Sequence, residues 1–269
     1  MISFIRTILL YSTAAAATIV LGLTVIIAGL LGVKDKPGSI YDKVPRWWSM
    51  AVLRAVGVKV RVHGMENVDS GEPYIFASNH VSWFDVPSLA KVLPRYKFVA
   101  KAELFKVPIF GPAMRSAGMI EIQRDNRKAA FGAYDVAAER IRAGNSVVVF
   151  PEGTRGSAYP LRPFKKGPFV LAIAAGVPIV PIILHGTIEI MPRGSLWAHP
   201  GTIDIHLLDP VSTSGVDYDH REALMQTVRK RMADAMRELY GVEALPTSSS
   251  RLPSSVEIVS SEIDPTETR

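Results

Sequence analysis

Short apolar runs alternate with helix patterns from residue 58 onward, and this alternation restricts the possible folds more than any other feature of the sequence. In the first run, Val58, Val60 and Val62 alternate with Lys59 and Arg61, which is the period of a strand with one buried face. Further runs that favour strands lie at 74–77, 97–100, 119–122, 147–150, 179–184 and 203–207. Strands that alternate with helices predict an α/β domain with a mostly parallel mixed sheet flanked by helices.

Helix patterns are clearest at three places. They cover 126–142, 166–176 and 219–240. We expect Asp125 to cap the first helix, and Asp219 with Glu222 to form a capping box at the third. The segment Val177–Ile182 contains two prolines within a strand pattern. Because proline cannot donate to a sheet ladder, the start of this strand is expected to be an edge or an irregular element.

The segment Thr7–Val33 has no charged residue and is rich in leucine, isoleucine, valine and alanine. As a helix with about 1.5 Å per residue it would extend roughly 40 Å, which is long enough to cross a bilayer. A cleaved signal peptide usually has a shorter apolar region, so we interpret the segment as an N-terminal hydrophobic membrane helix. A hairpin that enters one leaflet and turns near Gly22 or Gly29 is the alternative.

Positive charge differs between the two sides of this segment. Arg6 alone precedes it. The basic residues that follow it are Lys34, Lys36, Lys43 and Arg46. Because basic flanks stay on the cytoplasmic side, we expect a membrane protein whose body faces the cytoplasm. Trp47 and Trp48 indicate a second helix at the membrane interface, although tryptophans fill protein cores as well.

The sequence Asn-His-Val-Ser-Trp-Phe-Asp at 79–85 follows the second strand run. A turn held by Asn79 and Ser82 would bring His80 next to Asp85 at the start of a helix. A neutral imidazole accepts a proton near pH 7, and a carboxylate on its other nitrogen fixes the tautomer. The alternative is a buried histidine beside a helix-capping aspartate. We predict that His80 and Asp85 are catalytic.

The chain offers no evident nucleophile beside this histidine. It contains no cysteine, and Ser82 is better placed to hold the turn than to attack a substrate. We therefore expect His80 to activate a hydroxyl that arrives with the substrate. The remaining histidines show no metal-ligand spacing, so we predict no metal site.

The fifth strand run leads into Pro-Glu-Gly-Thr-Arg at 151–155. Gly153 permits a turn with exposed amides, Thr154 offers a hydroxyl, and Arg155 offers a bidentate guanidinium, a combination suited to a phosphate monoester. Glu152 cannot bind phosphate directly, but it can fix Arg155 or accept a hydrogen bond from a substrate hydroxyl. If this motif stood alone, a glycine turn with a surface salt bridge would be the better interpretation.

Arg124 and Lys101 also follow strand runs. The carboxyl ends of parallel strands meet at one edge of a sheet, where binding sites gather. Arg124 beside Arg155 would provide a second clamp on the same phosphate. Lys101 can face the phosphate or a developing oxyanion, and a solvated surface lysine is the alternative.

These patterns divide the chain into three parts. Residues 1–56 are expected to form the membrane anchor and interfacial helix, residues 57–245 a catalytic domain, and residues 246–269 a disordered tail rich in serine, proline and acids. The formal net charge is +6, and the tail is acidic, so the rest of the chain is still more basic. Such a body suits an anionic partner, whether a membrane surface, a phosphate or nucleic acid.

Four motifs in this order resemble those of the glycerolipid acyltransferases, specifically the 1-acylglycerol-3-phosphate (lysophosphatidic acid) acyltransferases. The similar region covers about residues 58–210. Its blocks are N-H-x-S-x-x-D at 79–85, G-x-I-x-x-x-R at 118–124, F-P-E-G-T-R at 150–155 and V-P-I-V-P from 177. A K-x-E-L segment from Lys101 matches as well, whereas Gly156 stands where a serine is common.

The resemblance implies transfer of a fatty acyl group from a thioester of coenzyme A or acyl carrier protein to the free hydroxyl of 1-acylglycerol-3-phosphate. The product would be phosphatidic acid for phospholipid biosynthesis. His80 would be the base and Asp85 its partner, with no acyl-enzyme and no cofactor. The substrate-binding residues would be Lys101, Arg124, Glu152, Gly153, Thr154 and Arg155. Membrane lipids are the other expected partners.

Two other functions fit the same patterns. An acyltransferase that uses another lysophospholipid or an amino-acid lipid as acceptor would keep the histidine and aspartate and change the pocket. A basic membrane protein that binds anionic lipid without catalysis would need neither residue. Nucleic acid is not expected as a partner, because the apolar N-terminus already accounts for an anionic surface and the sequence shows no aromatic and basic platform.

Overall fold

In a computed structural model of the chain, the described residues are 2–123 and 127–246. Arg124, the predicted helix cap Asp125 and the predicted tail beyond residue 246 lie outside them. Within these ranges the strands are β1 Val58–His63, β2 Ile75–Ser78, β3 Tyr96–Lys101, β4 Ile120–Ile122, β5 Ser146–Val149, β6 Ile179–His185 and β7 Gly201–Leu207. Every predicted strand is therefore present, with bounds that shift by one or two residues.

The described strands form one seven-stranded sheet in the order β1-β7-β6-β2-β5-β3-β4. Neighbouring strands are parallel except for β6 and β7, which are antiparallel. The predicted mostly parallel mixed α/β sheet is confirmed. Because β2, β5 and β3 are adjacent, the segments that follow their carboxyl ends, which carry the predicted site residues, come together at one edge.

The helices are α1 Ile2–Leu30, α2 Ile40–Val56, α3 Asp85–Val92, α4 Phe110–Ser116, α5 Arg127–Arg142, α6 Gly167–Ala175, α7 Thr187–Ile190 and α8 Arg221–Tyr240. Short 3-10 helices occur at Met65–Asn67 and Ala102–Lys106. The predicted capping box of α8 is wrong, because the cap residue is His220 and its side chain makes no capping bond. Glu222 instead accepts a 2.7 Å hydrogen bond from Lys166.

Of the two predicted alternatives for the start of the proline-containing strand, the irregular element is the one observed, since β6 is not an edge strand and lies between β7 and β2. Pro178 precedes β6 and Pro181 lies within it, and on the β7 side the pairing at this end of the strand is irregular. Ile179 bridges to Val211, whereas the regular β6–β7 pairing begins at Ile182. Between these points Pro181 accepts a 2.9 Å hydrogen bond from the Leu208 N–H and has no need to donate one.

The sheet separates two apolar cores. On one face, Phe76 and Val148 pack in a cluster with residues of α2 and α3, and on the other face Ile75 and Val147 pack with residues of α5, α6 and α8. These central strand residues are fully buried, which explains why β2 and β5 are continuous apolar runs without polar alternation. The carboxyl ends of both strands therefore lie at the middle of the sheet edge.

Helix α1 runs from Ile2 to Leu30 without a break, so neither Gly22 nor Gly29 is a turn. The chain reverses between α1 and α2 instead. A side chain at Gly22 would place its Cβ 3.1 Å from Cγ2 of Ile109, so the glycine allows α1 to approach α4 closely. Outward-facing apolar side chains on α1 include Phe4, Ile5, Ile8, Leu9, Ile19, Val20, Leu23 and Ile27. By length and hydropathy this helix is a candidate membrane span.

Both ends of α1 are attached to the rest of the molecule. Near its start, Thr7 Oγ1 accepts a 3.1 Å hydrogen bond from the Ala198 N–H. After its end, Asp35 pairs at 2.9 Å with the ammonium of Lys97, a fully buried residue of β3 that also donates to the Ala117 carbonyl. A buried ammonium needs such partners, so this pair holds the end of the apolar helix against the sheet.

Candidate active site

The predicted pair lies at the carboxyl end of β2. His80 Nδ1 is 2.7 Å from Oδ2 of Asp85, and the side chains are 12% and 0% exposed. The same carboxylate oxygen accepts the backbone N–H groups of Val81 and Ser82 at 2.7 and 2.8 Å. Asp85 thus shapes the loop and orients the imidazole with one oxygen.

The loop is fixed to neighbouring elements on both sides. The Asn79 side chain bonds the Leu184 N–H and carbonyl at 2.7 and 2.9 Å, which ties β2 to β6. The Ser82 hydroxyl donates at 2.8 Å to the carbonyl of Met191. Its geometry is that of a residue that holds the turn, as the sequence indicated.

Further contacts hold both the ring and the backbone of His80 in place. Its ring stacks on Phe150, with centroids 3.9 Å apart. The backbone N–H of His80 donates to Glu152 at 3.0 Å, and its backbone carbonyl accepts a 2.7 Å hydrogen bond from the Gly156 N–H. A proton on Nδ1 that is donated to Asp85 leaves the Nε2 lone pair available to a substrate.

Glu152 is a brace between two segments of the site. One carboxylate oxygen accepts the His80 N–H, and the other accepts a 2.9 Å hydrogen bond from Nε of Arg162. Arg162 also donates to the hydroxyl of Thr154 at 3.1 Å and to its carbonyl. The glutamate therefore pairs with Arg162 and not with Arg155. Sequence reasoning missed Arg162, although a buried glutamate in the motif signals the need for a cation nearby.

Gly153 has a φ of +81°, a conformation that favours glycine, and its N–H donates at 2.9 Å to the carbonyl of Phe150. The amide that the sequence suggested for phosphate binding thus already has a backbone partner. Gly156 is closely surrounded, because a Cβ there would lie 3.2 Å from the carbonyl oxygen of Ala158. A serine at this position would require that neighbour to move.

Arg155 lies at the mouth of the site. Its guanidinium carbon is 4.2 Å from the ring centroid of Trp83, a cation–π contact. Partial burial and the nearby Arg193 lower the pKa of Arg155 from its ordinary value, while Asp85 opposes the shift. Among the described residues, no carboxylate forms an ion pair with Arg155. Its charge is therefore open to an anionic ligand.

Lys101 is the last residue of β3, and its ammonium pairs at 3.0 Å with Glu103. Both side chains are about half exposed, and the hydrogen bond from Lys101 lowers the pKa of Glu103. Such an exposed pair is weak, so a ligand anion can compete for the ammonium.

In the part of the chain that the structure describes, no group of three or more histidine, cysteine, aspartate or glutamate side chains is arranged to hold a metal ion.

A cavity of about 870 Å³ joins these residues to the apolar N-terminal helices α1 and α2. His80, Lys101, Thr154 and Arg155 line it on the side of the sheet edge. Much of the rest is apolar and includes Leu10, Leu21, Val25, Val52, Phe98 and Met119. The structure thus brings the predicted base and two predicted cations to one cavity, and it adds a long apolar surface from α1 and α2.

Comparisons with known proteins identify this α/β sheet with its histidine–aspartate pair as that of an acyltransferase. The acyltransferase family model matches residues 59–185. The chain belongs to the 1-acyl-sn-glycerol-3-phosphate acyltransferase family, as its motifs predicted. The human 1-acyl-sn-glycerol-3-phosphate acyltransferase alpha is 33% identical over 199 residues, which cover 73% of this chain and 70% of the human protein.

Two further relatives show how far the similarity extends. A chloroplastic 1-acyl-sn-glycerol-3-phosphate acyltransferase of Brassica napus is 35% identical over 181 residues, 66% of this chain and 51% of that protein. The chain thus spans about half the length of this plant relative. The crystal structure of the 1-acyl-sn-glycerophosphate acyltransferase PlsC from Thermotoga maritima superposes with a TM-score of 0.75 and 25% identity, over 88% of this chain and 95% of that one.

Proposed function

We propose that this protein transfers a fatty acyl group from an acyl thioester to the free hydroxyl of 1-acylglycerol-3-phosphate, which gives phosphatidic acid. One observation carries the proposal: the His80–Asp85 pair and the Arg155 guanidinium line or adjoin a single apolar cavity. The relatives named above are enzymes of this activity by name. A base, a cation for phosphate and an apolar surface for the acyl chain are what this reaction requires.

The reaction begins with the acceptor hydroxyl at Nε2 of His80. The imidazole takes the hydroxyl proton as the oxygen attacks the thioester carbonyl, and the buried carboxylate of Asp85 stabilises the imidazolium that forms. When the tetrahedral intermediate collapses, the carbon–sulfur bond breaks and the imidazolium returns the proton to the thiolate. General-base catalysis of this kind contributes about 10²–10⁴ in rate.

The cations hold the acceptor. We assign the glycerol phosphate to Arg155 and Lys101, together with Arg124, which the sequence places after the fourth strand. Glu152 and Thr154 act through Arg162, and Gly153 shapes the turn. Tethering the phosphate brings the hydroxyl to the base and removes much of the entropic part of the barrier.

The cavity accommodates the acyl chain of the donor or of the acceptor. Each methylene group of the acyl chain that is buried against the apolar lining from α1 and α2 contributes about 0.8 kcal/mol to binding. Residues 57–245 then supply the chemistry, and residues 1–56 supply both the membrane anchor and one wall of the site. Either coenzyme A or acyl carrier protein can carry the thioester, and no cofactor takes part.

We also propose that α1 lies within one leaflet of the membrane and does not cross it. Its first turns are bonded to Ala198, and the segment after its last turn is bonded to Lys97. The body of the protein therefore accompanies α1 along its whole length, whereas a crossing helix would leave that body on one side only. The basic residues after α1 favour the cytoplasmic leaflet.

An acyl-transfer assay tests this function. The purified protein in phospholipid vesicles is given lysophosphatidic acid with an acyl-coenzyme A or an acyl carrier protein thioester, and phosphatidic acid is measured. We expect product from the native chain and a loss of about 10²–10⁴ in turnover for His80→Ala. His220→Ala, which changes an exposed histidine, is the matched control. Product formation by His80→Ala at the native rate would exclude this histidine as the base.

A panel of acceptors separates the alternatives. Lysophosphatidic acid, lysophospholipids with larger head groups and an amino-acid lipid are each supplied with the same thioester. Highest activity on the phosphorylated acceptor supports the proposal. Preference for another acceptor would identify a different acyltransferase, and absence of product from every acceptor would favour a lipid-binding protein.

A further inference from the structure

A second guanidinium adjoins Arg155 and belongs to no motif. Arg193 lies in the loop after α7, and its Nη1 donates at 2.9 Å to the carbonyl oxygen of Arg155. Arg155 and Arg193 both line the cavity that contains His80. The loop that carries Arg193 is in turn bonded to the catalytic turn, because the Ser82 hydroxyl donates to the carbonyl of Met191.

Neither guanidinium is neutralised by the protein in the described ranges. The nearby carboxylates are committed elsewhere, since Asp85 bonds His80 and Glu152 bonds Arg162. The structure records no ion pair of Arg155 or Arg193 with a described residue. Like charges at the mouth of an apolar cavity repel one another, and partial burial together with the charge of Arg193 lowers the pKa of Arg155. Binding of an anion would relieve this repulsion.

The loop that carries Arg193 does not depend on the Arg193 side chain for its own hydrogen bonds. The backbone of this loop is held by other bonds, such as those from the Met191 N–H to the Thr187 carbonyl and from the Ser195 N–H to the Pro192 carbonyl. Tyr11 of α1 also donates to the carbonyl of Leu196. Arg193 is exposed, and its one bond within the described chain leaves its remaining N–H groups available.

We propose that Arg193 is a specificity-determining residue that binds the acceptor phosphate together with Arg155. The proposal rests on the function proposed above and adds a second head-group cation to it. A phosphomonoester carries nearly two negative charges and three oxygens that accept hydrogen bonds, so it can engage both guanidinium groups. A phosphodiester carries only one negative charge, and a second ester bond leaves it two free oxygens. It can therefore satisfy only one of the two guanidinium groups well. Arg193 therefore favours acceptors with a terminal phosphate.

Steady-state kinetics of Arg193→Gln test this role. Lysophosphatidic acid and lysophosphatidylglycerol, a phosphodiester, are compared as acceptors with one thioester donor. We expect the KM for lysophosphatidic acid to rise about tenfold or more, with kcat changed less than about threefold and with a smaller effect on the phosphodiester. Arg193→Lys should recover part of the loss, because it restores the charge without the planar fork. Arg142→Gln, an exposed arginine at the end of α5, is the matched control.

A binding measurement separates this proposal from the proposed function. Binding of lysophosphatidic acid is measured by calorimetry in detergent micelles, with His80→Ala and with His80→Ala/Arg193→Gln, so that turnover plays no part. Weaker binding by the double variant supports the role of Arg193. If the native chain makes phosphatidic acid while Arg193→Gln and Arg142→Gln share its KM and affinity, Arg193 has no such role. If the native chain makes no phosphatidic acid, the proposed function itself fails, and this proposal fails with it.

Discussion

At the scale of single residues, the fold and the proposed chemistry depend on the same carboxylate. Oδ2 of Asp85 accepts hydrogen bonds from the imidazole of His80 and from the backbone amides of Val81 and Ser82. The amides require an acceptor, and a full carboxylate charge supplies a stronger one than a neutral group. The histidine is therefore oriented by an atom that the loop itself holds in place.

We predict that Asp85→Asn keeps the fold and loses most of the activity. An asparagine oxygen can still accept the backbone amides, but it provides no negative charge to stabilise an imidazolium at His80. Turnover of lysophosphatidic acid should fall by about 10²–10⁴, with an unchanged circular dichroism spectrum. Activity within about threefold of the native value in a folded variant would contradict this role for Asp85.

Residues within motifs could be predicted, and residues outside motifs could not. His80, Asp85 and Arg155 lie within seven residues of the carboxyl ends of β2 and β5, so local sequence and the strand order place them at one edge. Arg162 and Arg193 lie in loops that return to the site from other elements. Their positions depend on tertiary packing, which no spacing along the chain records. The role of Arg124 stays a prediction, since it lies outside the described residues.

At the scale of elements, the apolar N-terminal segment could be predicted to be a helix, but not where it packs. An uncharged helix shows no polar face, so its sequence does not distinguish the side that meets protein from the side that meets lipid. The structure identifies the protein side by close approach. At Gly22, an added Cβ would lie 3.1 Å from Ile109 Cγ2 and 3.4 Å from the Cβ of Ala113.

We predict that Gly22→Leu separates α1 from α4 and lowers activity with long acyl chains. The added side chain must displace Ile109, and overpacking of this kind costs about 1–3 kcal/mol, more than the helix propensity gained. Gly22 also lines the cavity, so long-chain donors should lose more activity than short-chain donors. The thermal midpoint and the activity ratio of the two donors are the measurements.

Gly132→Leu is the matched control for this prediction. Gly132 lies within α5 and has no atom within 4 Å of its added Cβ, so the change tests helix propensity without a clash. The control should keep or raise the thermal midpoint and leave the donor ratio unchanged. Equal effects of the two substitutions would show that α1 does not depend on a close approach at Gly22.

At the scale of the whole molecule, histidines near the end of α8 couple that helix to the sheet. His185 stacks on Tyr240 and on Tyr159, with centroid distances of 3.8 and 4.4 Å. His206 Nε2 is 2.7 Å from the hydroxyl of Tyr240, and its ring stacks on His63. This cluster could not be predicted from the sequence, because its members lie on β1, β6, β7, α8 and the loop that contains Tyr159.

The lowered pKa values of His185 and His206 predict that the protein loses stability in mild acid. Burial lowers the pKa of His185 and of His206 from 6.5, so the folded state favours the neutral rings, while the nearby Glu189 and Asp204 only partly oppose the shift. In the unfolded chain both histidines bind protons at their ordinary pKa. The free energy of unfolding that the neutral rings contribute above about pH 6.5 is therefore lost as the pH falls below this value. His63 and Arg61, which also face His206, act in the same direction as burial.

Urea unfolding of the detergent-solubilised protein from pH 7.5 to pH 5 measures this effect. The midpoint should fall with pH, and the fall should be smaller in the double variant His185→Gln/His206→Gln. Asp204 does not confuse the measurement, because hydrogen bonds from Arg61 lower its pKa and it stays ionised in this range. Identical pH profiles of the native and double-variant proteins would contradict the prediction.

The attachment of α1 at both ends makes a prediction about the whole molecule in its membrane. The chain has no cysteine, so single cysteines can be introduced as probes. The probes are Ser3→Cys before the apolar segment, Lys34→Cys after it, and Thr227→Cys on the exposed side of α8. The three variants are bound to the outside of preformed anionic vesicles and treated with a thiol reagent that cannot cross the bilayer.

If α1 lies in one leaflet, all three cysteines react from the side on which the protein was added. A helix that crosses the roughly 30 Å hydrocarbon core would carry the cysteine at position 3 to the vesicle interior, so that it would react only after the vesicles are disrupted. Crossing would also require the bond from Ala198 to Thr7 and the pair of Asp35 with Lys97 to lie on opposite sides of the bilayer. One folded body bonded to both ends cannot meet that condition, and protection of position 3 alone would therefore contradict both the proposed topology and the packing of α1.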